Sequence, residues 1–310
     1  MIAAIETLIP VFAIILLGAG LKRIGMLSEE QWRGVEDLIY YICFPALIIA
    51  TLARTVFSTV PVLALAAAMA ASVLTMSAIL YLARAPLSRW LKANPPAYTS
   101  IFQGATRWNT YVALAVVGSL YGADGISLAA IGIAVMIPLL NVLCVSFLLA
   151  HVRDEAPSPA AIARGLYTNP LIIACVIGIA INASGLPVYA PILETGAILG
   201  RATLGLGLLC VGAGLRIEDG LHIGPRVAFT SIARLIGMPL LMALFCLAFG
   251  VSGMAFAVAI ICAAVPTASF SYVLARKLGG DAPLMARIIT VETLAAAITL
   301  PVIIALLPAT

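Results

Sequence analysis

Apolar residues in this chain form ten long stretches separated by short, more polar connections. Each stretch is close to the ~20 apolar residues that an α-helix needs to cross the hydrocarbon core of a bilayer. The pattern therefore predicts an all-α polytopic membrane protein with ten transmembrane helices. The predicted spans are 2–22, 31–53, 58–83, 97–121, 125–150, 168–186, 190–215, 226–249, 252–275 and 283–307.

Polar residues interrupt the fourth span in its middle, in the run Gln103-Gly104-Ala105-Thr106-Arg107-Trp108-Asn109-Thr110. Unpaired polar groups are costly in hydrocarbon, so such residues usually face a bundle interior or a water-filled cavity. The ninth span is interrupted in a similar way around Pro266 and Ser269. Paired interrupted segments are typical of the binding site of secondary transporters, so we predict that both spans are broken helices.

The two halves of the chain share a spacing pattern. With an offset of 160 positions, three residues in and just after the first span recur in the sixth: Pro10, Gly18 and Gly25 match Pro170, Gly178 and Gly185. Because each half holds five spans, an odd number, two such repeats must be inverted in the membrane. We expect a first five-helix repeat at 1–152, a cytoplasmic connecting loop at 153–167 and a second, inverted five-helix repeat at 168–310.

Composition and charge agree with this organisation. The chain is 63% hydrophobic and 10% charged, whereas soluble domains are about 45–50% apolar and about 25% charged. Of the 17 lysines and arginines, 13 fall in alternate loops or in the first residues of the adjoining span ends, one falls in the other loops and three lie deep within spans. Since cytoplasmic loops are enriched in lysine and arginine, we expect a multi-pass protein of the cell inner (plasma) membrane with both termini on the non-cytoplasmic side.

Metal and enzyme chemistry have little support in the sequence. The cysteines lie singly in apolar runs, without CxxC or His/Cys clusters: Cys43, Cys144, Cys175, Cys210, Cys246 and Cys262. No HExxH, GxSxG or GxxxxGK[ST] motif occurs, which argues against an intramembrane enzyme and a primary pump. We expect no metal site, no cofactor, no nucleic-acid partner and no catalysis.

Short motifs follow one another along the whole chain in a characteristic order. They are Phe44-Pro45-Ala46-Leu47-Ile48, Arg107-Trp108-Asn109-Thr110-Tyr111, Asn169-Pro170-Leu171, Gly212-Ala213-Gly214-Leu215, Arg234-Leu235 with Pro239, Val265-Pro266 and Thr299-Leu300-Pro301. In these motifs the chain resembles a bacterial member of the auxin efflux carrier family, which is related to the plant PIN carriers and, in fold, to the bile acid:sodium symporters.

The resemblance implies two inverted five-helix repeats that each contribute to a scaffold and to a mobile transport domain. It also implies that the broken fourth and ninth helices cross at the substrate site. The substrate would be a small organic anion, since members of the family move auxin, malate and malonate. The plant carriers have a proline at the break of each crossing helix, whereas the fourth span here has none, so its break would depend on Gly104, Thr106 and Asn109.

Residues in the interrupted spans supply groups that suit an anion. The N-terminal ends of half-helices carry partial positive charge and favour a carboxylate. Asn109 can donate through its amide, and Thr110 and Ser269 can add hydroxyls. Arg107 could form a bidentate bond with a carboxylate, or it could be a structural charge that pairs with an acid or reaches an interface.

Proline and glycine add further candidate substrate-binding positions. Pro266 lacks an N–H, so it leaves the carbonyl of Cys262 without its helical partner and breaks the helix. Pro45 of the second span aligns by the same offset with Gly205 of the seventh. A glycine there allows close approach to a ligand, although helix packing is the simpler interpretation.

Four ionisable residues within spans are candidates for coupling or structural charges: Glu194, Arg201, Arg234 and Glu292. Glu292 could be a proton-coupling carboxylate or could neutralise Arg201 or Arg234, and we favour structural pairing. Glu194 and Arg201 lie seven positions apart, about two turns. A direct pair between them is therefore not expected, although each could meet a residue on another helix. We expect both side chains to be buried.

The function that these patterns favour is a secondary transporter of a small organic anion, in particular a carboxylate, that works by alternating access. A sodium- or proton-coupled symporter of a larger amphipathic acid is an alternative. A membrane receptor or channel without carrier activity is another. The partners expected are the anion and the lipid bilayer, while sodium or proton coupling and a homodimer are left open by the sequence.

Overall fold

The computed structural model describes residues 2–55, 61–153, 159–185, 188–216 and 223–307, and its regular elements in these ranges are helices. Residues 58–60 and 186 of the predicted spans, and 154–158 of the predicted connecting loop, lie outside the described residues. The helices are α1 Ile2–Arg23, α2 Glu29–Arg54, α3 Val62–Leu82, α4 Arg84–Trp90, α5 Pro95–Thr106, α6 Thr110–Leu148, α7 Pro159–Tyr167, α8 Pro170–Ser184, α9 Ala190–Ala213, α10 Pro225–Ala248, α11 Gly253–Ala264, α12 Phe270–Leu278 and α13 Ala282–Leu306.

Within the described residues, six helical stretches are each long and apolar enough to cross a membrane. They are Glu29–Arg54, Val62–Leu82, Pro95–Val152, Ala190–Ala213, Pro225–Ala248 and Ala282–Leu306. The helices α8 and α11 are apolar but shorter, with 15 and 12 residues. These lengths and compositions are those of a polytopic, all-helical membrane protein, while the count of ten spans stays a prediction.

The stretch Pro95–Val152 has 58 residues and is too long for a single crossing, which needs ~20. It is interrupted between α5 and α6, at 107–109. It is then kinked within α6 at Gly122, whose φ of 58° and ψ of −141° are outside the helical region. A glycine adopts such a conformation at little cost because it has no Cβ. The kink therefore separates the predicted fourth and fifth spans without a loop.

The helices pack in two groups that both combine the first and second halves of the chain. In the first group, α1 packs against α9, while α2 packs against both α8 and α9. In the second group, α3 packs against α6 and α10, and α11 packs against α6, α10 and α13. Contacts of α6 with α1, α2, α8 and α9 join the two groups.

Two glycines bring α1 and α9 into backbone contact. A Cβ at Gly18 would overlap the backbone carbonyl oxygen of Leu209, and a Cβ at Gly212 would overlap that of Ile15. Small residues allow such close approach between helices in a membrane, where packing takes over from the hydrophobic effect. Gly212, in the seventh span, and Gly18, in the first, therefore serve helix packing.

Candidate functional site

The two interrupted helices meet at their interruptions. The first break covers 107–109, between α5 and α6, and the second covers 265–269, between α11 and α12. The backbone N–H of Asn109 donates to the carbonyl oxygen of Pro266 across 2.8 Å. The hydroxyl of Thr267 also donates to the carbonyl of Gln103, at 3.4 Å. We call these two segments the paired breaks.

Each break has a local cause in the sequence. The helix α11 ends before Pro266, and Val265 is extended with φ −70° and ψ 154°. On the other side, Arg107 is extended with φ −74° and ψ 150°, and Asn109 begins α6 as its N-cap. The side-chain oxygen of Asn109 accepts from the N–H of Val112 at 3.2 Å, which is the usual role of an asparagine at this position. The first break is thus formed at an N-cap, whereas the second is formed at a proline.

Gly104 and Thr106 belong to α5, so the break begins after them. A Cβ at Gly104 would lie 2.6 Å from the side chain of Thr230 and 2.9 Å from that of Ile288. This glycine therefore lets α10 and α13 approach α5 closely. The break itself depends on residues 107–109.

Several buried polar atoms at the paired breaks make no hydrogen bond within the described part of the chain, and we call them open atoms. They are Nδ2 of Asn109, Nη1 of Arg107, Oγ of Ser269, Oγ of Ser271, both amide atoms of Gln103 and Oε1 of Glu292. Leaving such an atom unsatisfied costs about 1–3 kcal/mol, so each one calls for an explanation. The open atoms of Asn109 and Arg107 are both donors, so they favour a ligand that accepts hydrogen bonds.

One of the two terminal nitrogens of Arg107 has a structural partner, and the other is an open atom. Its Nη2 donates to Oδ1 of Asn141 at 3.2 Å, whereas Nη1 is open. The guanidinium carbon lies 5.8 Å from the centre of the Phe270 ring, a cation–π distance. Among the described residues Arg107 makes no ion pair, so its charge is available to an anion.

Aromatic residues of α2 lie beside the paired breaks. Tyr40 stacks on Phe270 with ring centres 6.4 Å apart, and Phe44 contacts Tyr111 at 5.4 Å. Tyr40 belongs to a π-helical turn, Ile39–Cys43, and the half-buried Pro45 follows directly in the next turn. Helix α2 of the first group thus faces the breaks of the second group.

Gly205 has a different environment from the other candidates. It lines a small apolar cavity of about 130 Å³ together with Pro10, Val11 and Ala115. Apart from its chain neighbours and the backbone of its own helix, no described atom lies within 4 Å of a Cβ placed there. Thr110 is the first residue of α6 and half-buried, whereas Ser269 directly precedes α12.

Arg234 and Glu292 bind opposite polar groups of the paired breaks. Arg234 donates to the carbonyl oxygens of Val265 at 2.9 Å, Cys262 at 3.3 Å and Thr106 at 3.5 Å. Glu292 accepts from the N–H of Thr267 at 2.9 Å. Both side chains are 0% exposed. The carbonyl of Cys262, which Pro266 was expected to free, is thus taken up by a buried arginine.

The pairing expected for Glu292 is therefore indirect. The described residues include no ion pair between Glu292 and Arg201 or Arg234. Both side chains instead bind the backbone of the second break, Arg234 at its carbonyl oxygens and Glu292 at the N–H of Thr267. Each finds its hydrogen-bond partner in the backbone because a broken helix leaves both carbonyls and N–H groups without helical partners.

The expected burial of Glu194 and Arg201 was wrong, because both side chains are exposed on α9. Glu194 pairs with Arg54 at the end of α2, at 2.8 Å, with more than half of its side chain exposed. The apolar run that contains them extends to the end of the span, and hydropathy alone does not reveal which face points outward. Neither residue lies among the groups that we assign to the paired breaks.

Gln103, Thr267 and Ser271 were missed as candidates by the sequence reasoning. Gln103 stands in the same polar run as Asn109, and Thr267 follows Pro266 directly. Both signals were therefore available in the interrupted spans. Asn141, the partner of Arg107, gives no such signal, because it is a single polar residue in a long apolar run.

Comparison with known proteins agrees with the motifs. Residues 3–156 and 158–304 match the model of a family described as "Membrane transport protein". A relative from Methanothermobacter thermautotrophicus, named "Uncharacterized transporter", is 26% identical over 313 residues, which cover 96% of each chain. The similarity therefore extends over both halves, including both breaks.

Proposed function

The chain belongs to the membrane transport protein family, that of the auxin efflux carriers, and from this premise we propose that it is a secondary transporter of a small organic anion. A carboxylate is the class that the donors favour. The observation that carries the proposal is the open Nδ2 of Asn109, next to a backbone contact between the two breaks.

The anion would bind to the donors at the start of α6. Asn109 Nδ2 and Arg107 Nη1 are open within the described residues, and both are donors only. The first N–H groups of α6 add the partial positive charge of a helix N-terminus. Hydroxyls of Thr110 and Ser269 complete the polar side, and the rings of Tyr40 and Phe270 cover the apolar part of the acid.

Alternating access would move one helix group against the other. In this proposal α1, α2, α8 and α9 form the scaffold, and the group with α3, α6, α10 and α11 carries the paired breaks. The packing of the described helices into two groups supports this division. The contact between α2 and the breaks then lies at the boundary between the two groups, where motion exposes the site to one side or the other.

The architecture proposed with this function has ten spans in two inverted repeats, 1–152 and 168–310, joined by a cytoplasmic segment at 153–167. The similar placement of the two breaks in the two halves supports the repeat. The distribution of lysine and arginine supports a position in the inner membrane with both termini outside the cytoplasm. A homodimer stays a prediction.

The proposal is tested by ligand-dependent melting followed by uptake into proteoliposomes. Purified protein is screened against mono- and dicarboxylates, and the acid that raises the melting temperature is then used for counterflow. We expect saturable uptake and exchange of labelled for unlabelled acid. Flux that neither saturates nor exchanges would indicate a channel, and an absence of binding across all acid classes would contradict the proposal.

The variant Asn109→Asp tests the site within that assay. Aspartate keeps the oxygen that caps α6 but replaces the open donor by a second carboxylate oxygen. Because like charges then face each other, we expect acid affinity to fall on the order of 100-fold with an unchanged melting temperature. The matched control is Asn169→Asp, since Asn169 caps α8 in the same way through Leu171 and Ile172. Equal affinities in both variants would contradict the role of Asn109.

A further inference from the structure

The π-helical turn Ala233–Gly237 places Arg234 in the interior of α10, away from both ends of that helix. A charged side chain inside a membrane bundle is costly unless it finds partners, and such residues mark functional positions. A π turn inside an α-helix is likewise frequent at functional sites. The burial of Arg234 at 0% exposure therefore needs an account beyond packing.

All three hydrogen-bond partners of Arg234 belong to the C-terminal ends of half-helices. Thr106 is the last residue of α5, Cys262 lies in the last turn of α11, and Val265 follows that helix as its C-cap. The distances are 3.5, 3.3 and 2.9 Å. The guanidinium thus joins the carbonyl ends of both interrupted helices.

Those carbonyl ends are where transporters with broken helices bind a coupling cation. The C-terminus of a helix carries partial negative charge, and unwound carbonyls in such transporters coordinate sodium. Here a guanidinium that is covalently part of α10 already neutralises them. The other side of the paired breaks, with the open donors of Asn109 and Arg107, carries the opposite preference and is left for an anion.

We infer that Arg234 is a built-in cation at the paired breaks and stands in for a coupling sodium ion. The positive charge that closes the carbonyl side is then always present, so binding of the anion requires no sodium. Arg234 acts as a positioning residue, because it touches the two half-helix ends and not the substrate. The part of this inference that concerns coupling rests on the proposed function; the part that concerns the cation site does not.

The test measures the melting temperature of the purified full chain in detergent, in sodium, potassium or choline chloride at constant ionic strength. We expect the wild type to melt at the same temperature in all three salts. Arg234→Ala should lose on the order of 5 °C and regain much of it in low millimolar guanidinium chloride. Sodium should also stabilise this variant more than choline does, because the vacated carbonyls then form an open cation site.

Two controls separate this role from ordinary destabilisation. Arg89→Ala removes an arginine that is exposed on α4, and it should neither lower the melting temperature nor respond to guanidinium. Arg234→Lys keeps a positive charge with a different donor geometry, so it should melt below the wild type and show no response to sodium or guanidinium. If Arg234→Ala does not fold, Arg234→Lys and the wild-type salt comparison decide.

Three results would overturn the inference. They are a sodium-specific rise in the melting temperature of the wild type, an unchanged melting temperature in Arg234→Ala, and a destabilised Arg234→Ala that no cation restores. Sodium-dependent uptake by the wild type would also overturn it while leaving the proposed transporter function intact. Conversely, cation rescue of Arg234→Ala without binding of any organic acid would sustain the cation site and contradict the proposed function.

Discussion

Only one of the two polar atoms of the Asn109 side chain has a hydrogen-bond partner within the described residues. Its oxygen caps α6, whereas its nitrogen is open within the described residues. Arg107 is divided in the same way between Asn141 and an open Nη1. Each side chain thus has one atom with a structural partner and one atom that is open to the proposed anion.

Arg107 is expected to contribute directional hydrogen bonds as well as charge. In Arg107→Gln the charge is lost, so we expect acid affinity to fall about 10- to 100-fold, the equivalent of a hydrogen bond to a charged group. Arg107→Lys keeps the charge without the planar fork and should lose less. Binding isotherms of both variants check this. If Arg107→Gln binds the acid as the wild type does, Arg107 is only a structural charge.

Glu292 is expected to act mainly as an acceptor for the backbone. Glu292→Gln retains an oxygen for the N–H of Thr267, so its melting temperature should stay near that of the wild type. Glu292→Leu leaves this buried N–H unsatisfied and should lose about 1–3 kcal/mol. Thermal melts of the two variants measure the difference. Equal losses in both would indicate that the negative charge opposite Arg234 matters more than the hydrogen bond.

At the scale of elements, the breaks and the helix contacts depend on very few positions. Pro266 ends α11, the N-cap Asn109 begins α6, and Gly122 turns α6 sharply. The contact between α1 and α9 depends similarly on Gly18 and Gly212. Because these residues act through backbone geometry, their effects reach whole helices.

The contact between α1 and α9 should be sensitive to a single methyl group. Gly212→Ala forces a Cβ into the carbonyl of Ile15, so we expect a loss of about 1–3 kcal/mol from overpacking. Gly205→Ala, on the same helix, meets no described atom within 4 Å and is the matched control. Melting temperatures of both variants in one detergent check this. Equal melting temperatures would show that the contact between α1 and α9 tolerates the added methyl group, against this prediction.

At the scale of the whole molecule, the proposed motion is based on the two helix groups, and the proposed orientation is based on the lysines and arginines of the loops. Each group draws helices from both halves of the chain. The paired breaks lie in one group and face α2 of the other. Sidedness is the part of this picture that a simple experiment addresses.

Cysteine labelling in intact cells checks the orientation. All six native cysteines are buried, so introduced cysteines should dominate the signal. Arg89→Cys, on the exposed face of α4 in the basic connection between α3 and α5, should react with an impermeant maleimide only after the cells are opened. Ser252→Cys, in a loop without lysine or arginine, should react in intact cells. The opposite pattern would invert the proposed topology.

The sequence by itself determined the features that depend on local chemistry. Long apolar runs indicate spanning helices, a proline removes one N–H, and motifs indicate the family, since each of these is encoded within a few neighbouring residues. The helical membrane fold, the family and the approximate positions of both interruptions could therefore be predicted from the sequence. The break at 107–109 was located only to within a few residues, because an N-cap is a weaker local signal than a proline.

Only the tertiary structure decided which groups meet. Arg234 lies 31 positions from Val265 and 128 from Thr106, so no local pattern brings these atoms together. Likewise hydropathy could not distinguish the buried Glu292 from the exposed Glu194, since both interrupt apolar runs. Burial and hydrogen-bond partners depend on helices that are distant in the chain and adjacent in space. This packing leaves Nδ2 of Asn109 without a partner and gives the guanidinium of Arg234 three carbonyl partners.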